Sequence, residues 1–270
     1  MKMMRNVQAP AVAGLFYTAD PQQLSAEVRG FVAEGVARAG GKPLPRAKAL
    51  IVPHAGYIYS GSIAGSAYAA IAEQAEQIER VLILGPPHRF PVRGLATSSA
   101  DAFETPLGRV PVDQEAIERL LADYPQVQRL DLAFDGEHCI EVQLPFLQVL
   151  LDRFRIVPLL VGSSQPQQVA EVLEPFWSQD DSLILISSDL SHYLDYASGQ
   201  ALDARTSEAI LSLASERIGP EQACGRNAIA GLLQLAKAHH AQARLLDLRS
   251  SGDTAGPRDR VVGYGAYELA

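Results

Sequence analysis

The stretch Ala49-Leu-Ile-Val-Pro-His-Ala-Gly-Tyr57 contains the clearest fold signal in the chain. Its four consecutive apolar residues are typical of a strand that is buried on both faces, as in a parallel sheet. An apolar run followed by a histidine occurs twice more, within residues 81–88 and 183–192. Strands of this kind need a cover of helices on both faces of the sheet.

Helical patterns alternate with these strands along the chain. Asp20 and Pro21 form an N-cap and a first helical residue before an apolar stripe. Further helices are predicted at 62–76, 113–123, 138–153, 198–215 and 220–238. A hairpin is predicted within 103–112, and further strands at 155–161, 243–248 and 261–269. The alternation predicts an α/β fold: a single layered α/β/α domain over residues 1–270, with a mostly parallel or mixed central sheet.

Composition excludes several classes of protein. The 270 residues carry a formal net charge of −8, which argues against a surface for nucleic acid or anionic membranes. Apolar runs stay well short of the roughly 18 residues that a membrane-spanning helix needs. Two cysteines allow at most one disulfide, so a disulfide scaffold is excluded. We therefore expect a cytoplasmic protein with reduced thiols.

Histidines follow the predicted buried strands, close to the point where each strand ends. His54, His88 and His192 come after three separate strands, and parallel strands would bring those ends to one edge of the sheet. His138 opens a predicted helix and can reach the same edge. Singly, each is more simply a loop or cap residue. Together they favour a metal site, since neutral imidazole is a common ligand of zinc, iron and copper.

Asp189 and His192 are three residues apart, which makes them potential side-chain neighbours. The functional interpretation is a carboxylate that orients an imidazole, either beside a metal or as part of a general base. The simpler interpretation is that Asp189 or Ser188 caps a short turn. Both roles are compatible with each other.

The two cysteines receive different predictions. Cys224 lies in the first turns of a predicted helix near Arg226, where the helix dipole and the cation favour a thiolate. It is equally well explained as a small buried hydrophobic residue. Cys139 has core-like neighbours and is predicted to be a packing residue.

Several stretches resemble, as an ordered set, the motifs of the Memo family, whose prokaryotic members are called AmmeMemoRadiSam system protein B. These stretches are PAVAGLFY (10–17), VPHAGYIYSG (52–61), LGPPHR (84–89), EHCIEVQLP (137–145), SSDLSHY (187–193), CGR (224–226), SGD (251–253) and VVGY (261–264). The resemblance covers essentially the whole chain. It implies a fold similar to that of the LigB-type class III extradiol dioxygenases, which are non-haem iron enzymes with an α/β core.

The resemblance also implies roles for individual residues. His54, His88 and Cys224 match the two-histidine, one-cysteine metal site described in Memo proteins. His138, Asp189 and His192 match the remaining polar lining of that pocket and are the expected catalytic residues. Iron or copper is the expected metal, and zinc is compatible with a thiolate ligand.

Three functions are compatible with these residues. The leading hypothesis is a metal-dependent redox protein, oxygenase-like, in which His192 acts as acid or base on a small molecule or peptide. The alternative is a non-catalytic protein that uses the same pocket for peptide or partner recognition. A zinc hydrolase is the third. The family name further implies an AMMECR-like protein and a radical SAM enzyme as partners.

Overall fold

The buried strands form the centre of a large mixed sheet. A computed structural model describes residues 6–40 and 46–270. The strands are β1 (Val7–Gln8), β2 (Ala49–Val52), β3 (Arg80–Gly85), β4 (Leu95–Thr97), β5 (Ala102–Thr105), β6 (Gly108–Pro111), β7 (Val127–Arg129), β8 (Arg155–Val161), β9 (Ser182–Ser187), β10 (His192–Leu194), β11 (Ala243–Ser250) and β12 (Val261–Leu269). The sheet has the order β10-β12-β2-β9-β3-β8-β4-β7, and β11 pairs with β12.

The middle of this sheet is parallel and its flanks are antiparallel. β2 pairs with β9, β9 with β3, and β3 with β8, all in parallel. β12 runs antiparallel to β2, and β4 runs antiparallel to β8. The prediction of a mostly parallel or mixed sheet is therefore confirmed. The predicted hairpin is present as the antiparallel pair β5 and β6, which forms a separate three-stranded sheet with β1.

Helices cover both faces of the central sheet. They are α1 (Pro21–Ala39), α2 (Tyr57–Ala69), α3 (Gln114–Asp123), α4 (Leu144–Leu150), α5 (Pro166–Trp177), α6 (Tyr196–Leu211) and α7 (Arg226–Ala238). α1 packs with α2 and α4, while α5 packs with α7. Every residue of β2 and β9 is buried, and successive side chains of a strand point to opposite faces. Both faces are thus covered, as a layered α/β/α fold requires.

One cluster of buried apolar side chains extends from Val12 to Leu269. The assignment of residues 1–270 to one domain stays a prediction, because 1–5 and 41–45 lie outside the described ranges. Within the described ranges, no helix combines the length and hydropathy needed to cross a membrane.

Most helices differ from their predicted limits by a few residues, and three of these differences bear on the site. The helix predicted at 62–76 begins earlier, at Tyr57, directly after the loop that carries His54. The helix predicted at 138–153 shrinks to α4, which begins at Leu144 with Pro145 in its first turn. Proline favours a helix start because it lacks a backbone N–H. The residues before it therefore adopt irregular structure and a short 3-10 helix at Glu141–Gln143.

The third difference concerns Cys224. The helix predicted at 220–238 begins only at Arg226, so Cys224 lies before the helix rather than inside its first turns. Gln222 holds the preceding segment in a turn by accepting the backbone N–H of Gly219 at 2.6 Å. The N–H of Gly225 donates to the Ser188 hydroxyl at 2.9 Å, which ties this segment to the end of β9.

Candidate metal centre

The ends of three parallel strands meet where the sequence predicts. His54 follows β2, His88 follows β3, and Asp189 follows β9. β9 lies between the other two in the sheet, so the three loops are neighbours at one edge. The ring centroids of His54 and His88 are 5.1 Å apart. Histidines from separate strands are thus brought together as the strand-end argument requires.

His54 is held by a hydroxyl group that fixes its tautomer. The Ser187 hydroxyl donates to the carbonyl oxygen of Cys139 at 2.6 Å, so its oxygen accepts from Nδ1 of His54 at 2.9 Å. Nδ1 therefore carries the ring proton, and the lone pair lies on Nε2. Burial lowers the pKa of His54 to about 3, and the charge of His88 adds to this effect. A neutral imidazole with a free Nε2 is the form that binds metals.

His88 is held in the same way by a buried carboxylate. Oε1 of Glu137 lies 2.9 Å from Nδ1 of His88, and Oε2 accepts the backbone N–H of His88 at 2.7 Å. Burial alone raises the pKa of Glu137, but the His88 contact and several N–H donors outweigh it and lower the pKa to about 2. The ionised carboxylate keeps the proton on Nδ1 and leaves Nε2 of His88 free, an arrangement common among metal-bound histidines.

His138 completes a group of three histidines. One ring nitrogen each of His54, His88 and His138 all lie within 4.8 Å of one another. The ring of His138 stacks on His88 with centroids 4.8 Å apart, and it contacts Phe16 at the same centroid distance. Burial and the charge of His54 lower the pKa of His138 to about 4, so it is neutral near pH 7.

Cys224 lies next to this group but does not belong to it. Its Sγ is 3.4 Å from Nε2 of His54 and accepts the backbone N–H of Asp189 at 3.3 Å. Burial, with the charge of Asp189, raises the pKa of Cys224 to about 12, so the metal-free side chain is a thiol. The sequence left a thiolate and a buried thiol as alternatives, and the metal-free state corresponds to the thiol.

A second group contains His88, Glu137 and Cys139, but its donor set suits a metal less well. The Cys139 thiol is fully buried and donates to the Pro86 carbonyl at 3.3 Å. Burial raises the pKa of this thiol well above its usual value. The Glu137 oxygens already accept N–H groups from His88, His138 and Cys139. Cys139 is therefore a packing residue, as its neighbours in the sequence indicate.

Asp189 and His192 line the same pocket but do not form the expected pair. Oδ1 of Asp189 accepts the backbone N–H of His54 at 2.8 Å, and Oδ2 lies 4.0 Å from Nε2 of His54. Burial raises the pKa of Asp189 although the His54 N–H lowers it. Among the described residues, no hydrogen bond or ion pair joins Asp189 to His192. His192 lies on β10, opposite Val262 of β12, rather than on a helical turn.

These side chains open into a cavity of about 560 Å³. His54, His88, His138, Asp189 and His192 all contribute to its polar lining. The other walls are largely apolar and come from four separate stretches of the chain, namely Leu15, Phe16, Ile58, Tyr59, Tyr193, Gly256, Pro257, Val262 and Tyr264. Cys224 is not part of this lining, but it contacts His54.

A buried carboxylate attaches the N-terminal wall to the centre. Glu141 accepts the backbone N–H groups of Ala11 at 2.6 Å and Val12 at 3.1 Å, and the hydroxyl of Tyr17 at 2.6 Å. The bonded segment carries Phe16, whose ring contacts His138. Glu141 and His138 lie three residues apart, so the stretch that contains them fixes both the N-terminal wall of the cavity and one histidine of the centre.

Sequence reasoning missed the residues that hold the histidines. Glu137 immediately precedes His138 and Ser187 ends β9, so both lay in stretches already singled out. Their partners are 49 and 133 residues away in the chain, and a single sequence contains no signal for such pairs. The excess of polar groups beside the strand-end histidines was the only available indication.

Comparison with known proteins agrees with this architecture. A family profile described as "Memo-like protein" matches residues 8–268, and the chain therefore belongs to the Memo family. It is 34% identical to the MEMO1 family protein SSO0066 of Saccharolobus solfataricus, over 94% of this chain and 96% of that protein. It is 35% identical to a MEMO1 family protein of Aquifex aeolicus, over 96% and 97% of the two chains.

A solved structure shares the fold at low sequence identity. The uncharacterized protein JW3007 from Escherichia coli K12 superposes with a TM-score of 0.53 and 12% identity. The match covers 83% of this chain and 100% of that chain. It supports the layered α/β fold alone.

Proposed function

We propose that this Memo-family chain holds a redox-active transition metal, iron or copper, through His54, His88 and Cys224. One observation carries the proposal: both histidines are fixed through Nδ1, which leaves the Nε2 atom of each without a proton, with its lone pair available to a metal ion. Anchored imidazoles of known tautomer are what a metal site requires.

The position of Cys224 supports its role as the third ligand. Typical metal–nitrogen and metal–sulfur distances of about 2.0 and 2.3 Å place two tetrahedral ligands about 3.5 Å apart. Sγ of Cys224 and Nε2 of His54 are 3.4 Å apart. His138 is the competing third ligand, since it groups with the other histidines within 4.8 Å.

The donor set determines which metals fit. Imidazole and thiolate favour copper, iron and zinc, whereas magnesium and calcium prefer oxygen ligands. A bound iron or copper ion would supply redox chemistry, or Lewis acidity, to a molecule in the cavity. The family resemblance favours the redox function, and oxygenase-like chemistry is the form of it that we propose.

The remaining polar residues have separate tasks in this proposal. Glu137 keeps the proton of His88 on Nδ1, and Asp189 fixes the backbone of His54. His192 is half-buried in the cavity wall, where it can give or take a proton from a bound molecule. His138 forms the side of the cavity between Phe16 and His88.

Metal reconstitution of matched variants tests the ligand set. Purified protein is loaded anaerobically with Fe²⁺, Cu⁺ or Zn²⁺, and dissociation constants are measured by chelator competition. We expect His54→Gln, His88→Gln and Cys224→Ser to weaken binding by at least 10-fold, since each removes one ligand. Cys139→Ser is the matched control cysteine and should bind as the wild type does.

Cobalt substitution separates the two candidates for the third ligand. A Co²⁺ complex with a coordinated thiolate absorbs in the near ultraviolet by sulfur-to-metal charge transfer. We expect this band in the wild type and in His138→Gln, and its loss in Cys224→Ser. A band that is absent from the wild type, together with loss of metal in His138→Gln, would establish three histidines as the ligands. Failure of every metal to bind would refute the proposal as a whole.

A non-catalytic binding protein is the second candidate. Its support is the apolar rim of the cavity, where Leu15 is 80% exposed, Ile58 is 68% exposed and Tyr193 is 62% exposed. Such side chains at a concave site suit a peptide or partner protein. Co-purification with an AMMECR-like protein or a radical SAM enzyme, retained in His54→Gln and His192→Gln, would favour this function over catalysis.

A further inference from the structure

We propose that Arg260 selects ligands of the cavity by binding an oxyanion, so that the ligand is a small organic anion with an apolar body. The oxyanion is a carboxylate or a phosphate ester group. This inference rests on the proposed function only in that it concerns the same cavity. Arg260 itself has no place among the metal ligands.

Among the described residues that line the cavity, Arg260 is the only lysine or arginine. Its guanidinium lies over the ring of Tyr193, 4.4 Å from the ring centroid. In the described part of the chain, no carboxylate forms an ion pair with Arg260. Stacking uses the flat face of a guanidinium and leaves the N–H groups in its plane free, in the fork that matches an oxyanion.

Tyr193 holds this arrangement at a conformational cost. Its φ angle is +62°, in the left-handed region, and a pairing irregularity of β10 lies at the same residue. A non-glycine residue in this region costs about 1 kcal/mol or more. The side chain is 62% exposed, so burial does not offset that cost. Such strain is concentrated at functional sites, and here it places an aromatic ring beneath the cation.

The other walls indicate the rest of the ligand. Phe16, Tyr59, Tyr264 and Val262 give the cavity an apolar and largely aromatic surface. A volume of about 560 Å³ is within the range of small-molecule sites. An apolar body between these walls, with its anionic group at Arg260, satisfies both surfaces. A neutral molecule of the same shape would form no ion pair with the guanidinium of Arg260.

Arg258 provides a matched control on the same segment. Its guanidinium also lies 4.4 Å from a tyrosine centroid, that of Tyr196, and its Nε donates to the Gly252 carbonyl. Both arginines are exposed. Arg258 does not line the cavity. Replacement of either residue removes one exposed cation and one stacking contact, but only Arg260 faces the proposed ligand.

The test uses binding of small probes to the full chain. Benzoate, phenyl phosphate and the neutral benzamide are titrated into metal-free wild type, Arg260→Gln and Arg258→Gln, with calorimetry or ligand-observed NMR as the readout. Metal-free protein prevents an anion from binding a metal ion directly. We expect the wild type to bind at least one anion more tightly than benzamide, and Arg260→Gln to weaken that anion about 5- to 10-fold.

The control arms decide the outcome. Arg258→Gln should leave affinities within about 2-fold, and benzamide should bind both variants as it binds the wild type. Preference for benzoate or for phenyl phosphate identifies which oxyanion the site takes. Equal loss in the two arginine variants, no preference over benzamide, or no anion binding at all would overturn the inference. The Zn²⁺ affinity of the wild type, measured separately, tests the metal proposal. Arg260→Gln should bind Zn²⁺ as the wild type does, because Arg260 is not a proposed ligand.

Discussion

Nδ1 of His88 lies 2.9 Å from Oε1 of Glu137, whose Oε2 accepts the backbone N–H of the same histidine at 2.7 Å. A single buried carboxylate thus fixes both the loop and the ring of one candidate ligand. The same oxygen, Oε1, accepts the N–H groups of His138 and Cys139. The loop after β3 and the segment before α4 are therefore joined through one side chain at the metal centre.

Replacement of that carboxylate should weaken metal binding without removal of a ligand. In Glu137→Gln an NH₂ group replaces one carboxylate oxygen and faces N–H groups that are themselves donors, and the negative charge that keeps the proton on Nδ1 of His88 is lost. We expect the Zn²⁺ dissociation constant to rise about 10- to 100-fold. Glu104→Gln, which alters an exposed ion pair with Arg109, is the control and should not change it. Unchanged affinity in Glu137→Gln would show that the carboxylate does not support a ligand.

Metal binding should release a proton from Cys224. Its pKa of about 12 means that the metal-free thiol is protonated at pH 7–9, and coordination requires the thiolate. The logarithm of the apparent affinity should therefore rise by about one unit per pH unit. His54 contributes nothing to this slope, because its pKa of about 3 keeps it neutral. Chelator competition at two pH values measures the slope, and a flat profile would contradict thiolate coordination.

Asp113 should contribute to stability at neutral pH but not in acid. It accepts from Nε of Arg80 at 2.7 Å and from the N–H of Ala116 at 3.0 Å, as the N-cap of α3. Burial raises its pKa, but these donors outweigh burial and lower the pKa below the usual 3.8. We expect Asp113→Asn to cost about 1–3 kcal/mol in urea unfolding near pH 7.

The sign of the pH dependence follows from the lowered pKa. The ionised carboxylate stabilises the fold above about pH 4, and this contribution is lost as the pH falls through the folded-state value. The stabilities of wild type and Asp113→Asn should therefore converge below pH 4. Glu118→Gln, a change in α3 that removes an exposed ion pair with Arg129 of β7, should cost less than about 1 kcal/mol at any pH.

Two glycines of α1 should respond in opposite ways to substitution by alanine. A methyl group at Gly35 would lie 2.5 Å from the Gly65 carbonyl and 2.8 Å from Cα of Ser66, both in α2. A methyl group at Gly30 would meet no atom within 4 Å. We expect Gly35→Ala to destabilise the protein by about 1–3 kcal/mol and Gly30→Ala to stabilise it by about 0.5–1 kcal/mol. Thermal unfolding measures both, and equal effects would mean that α1 and α2 are not in close contact.

The parts of the fold that follow from local pattern were predictable. The apolar runs that became β2, β3 and β9 identified the parallel centre of the sheet, and their ends predicted the meeting of His54 with His88. Here the signal is the length and hydrophobicity of the run itself, which does not depend on distant residues.

The parts that depend on distant partners were not predictable. β10 has three residues and exists through its pairing with β12, nearly 70 positions later in the chain. The left-handed backbone of Tyr193 could not be predicted, because a bulky tyrosine side chain disfavours that conformation. Cys224 was expected inside a helix, but contacts from Gln222 and Ser188 hold its segment outside.

The antiparallel pairing of β12 with β2 has a consequence for the order in which the molecule matures. β2 carries His54 at its end, and Tyr267, Glu268 and Leu269 of β12 pair along it. During synthesis, one edge of β2 stays unpaired until residues 261–269 have left the ribosome. We therefore expect the newly made chain to be unable to retain a metal ion until then, so that loading follows translation.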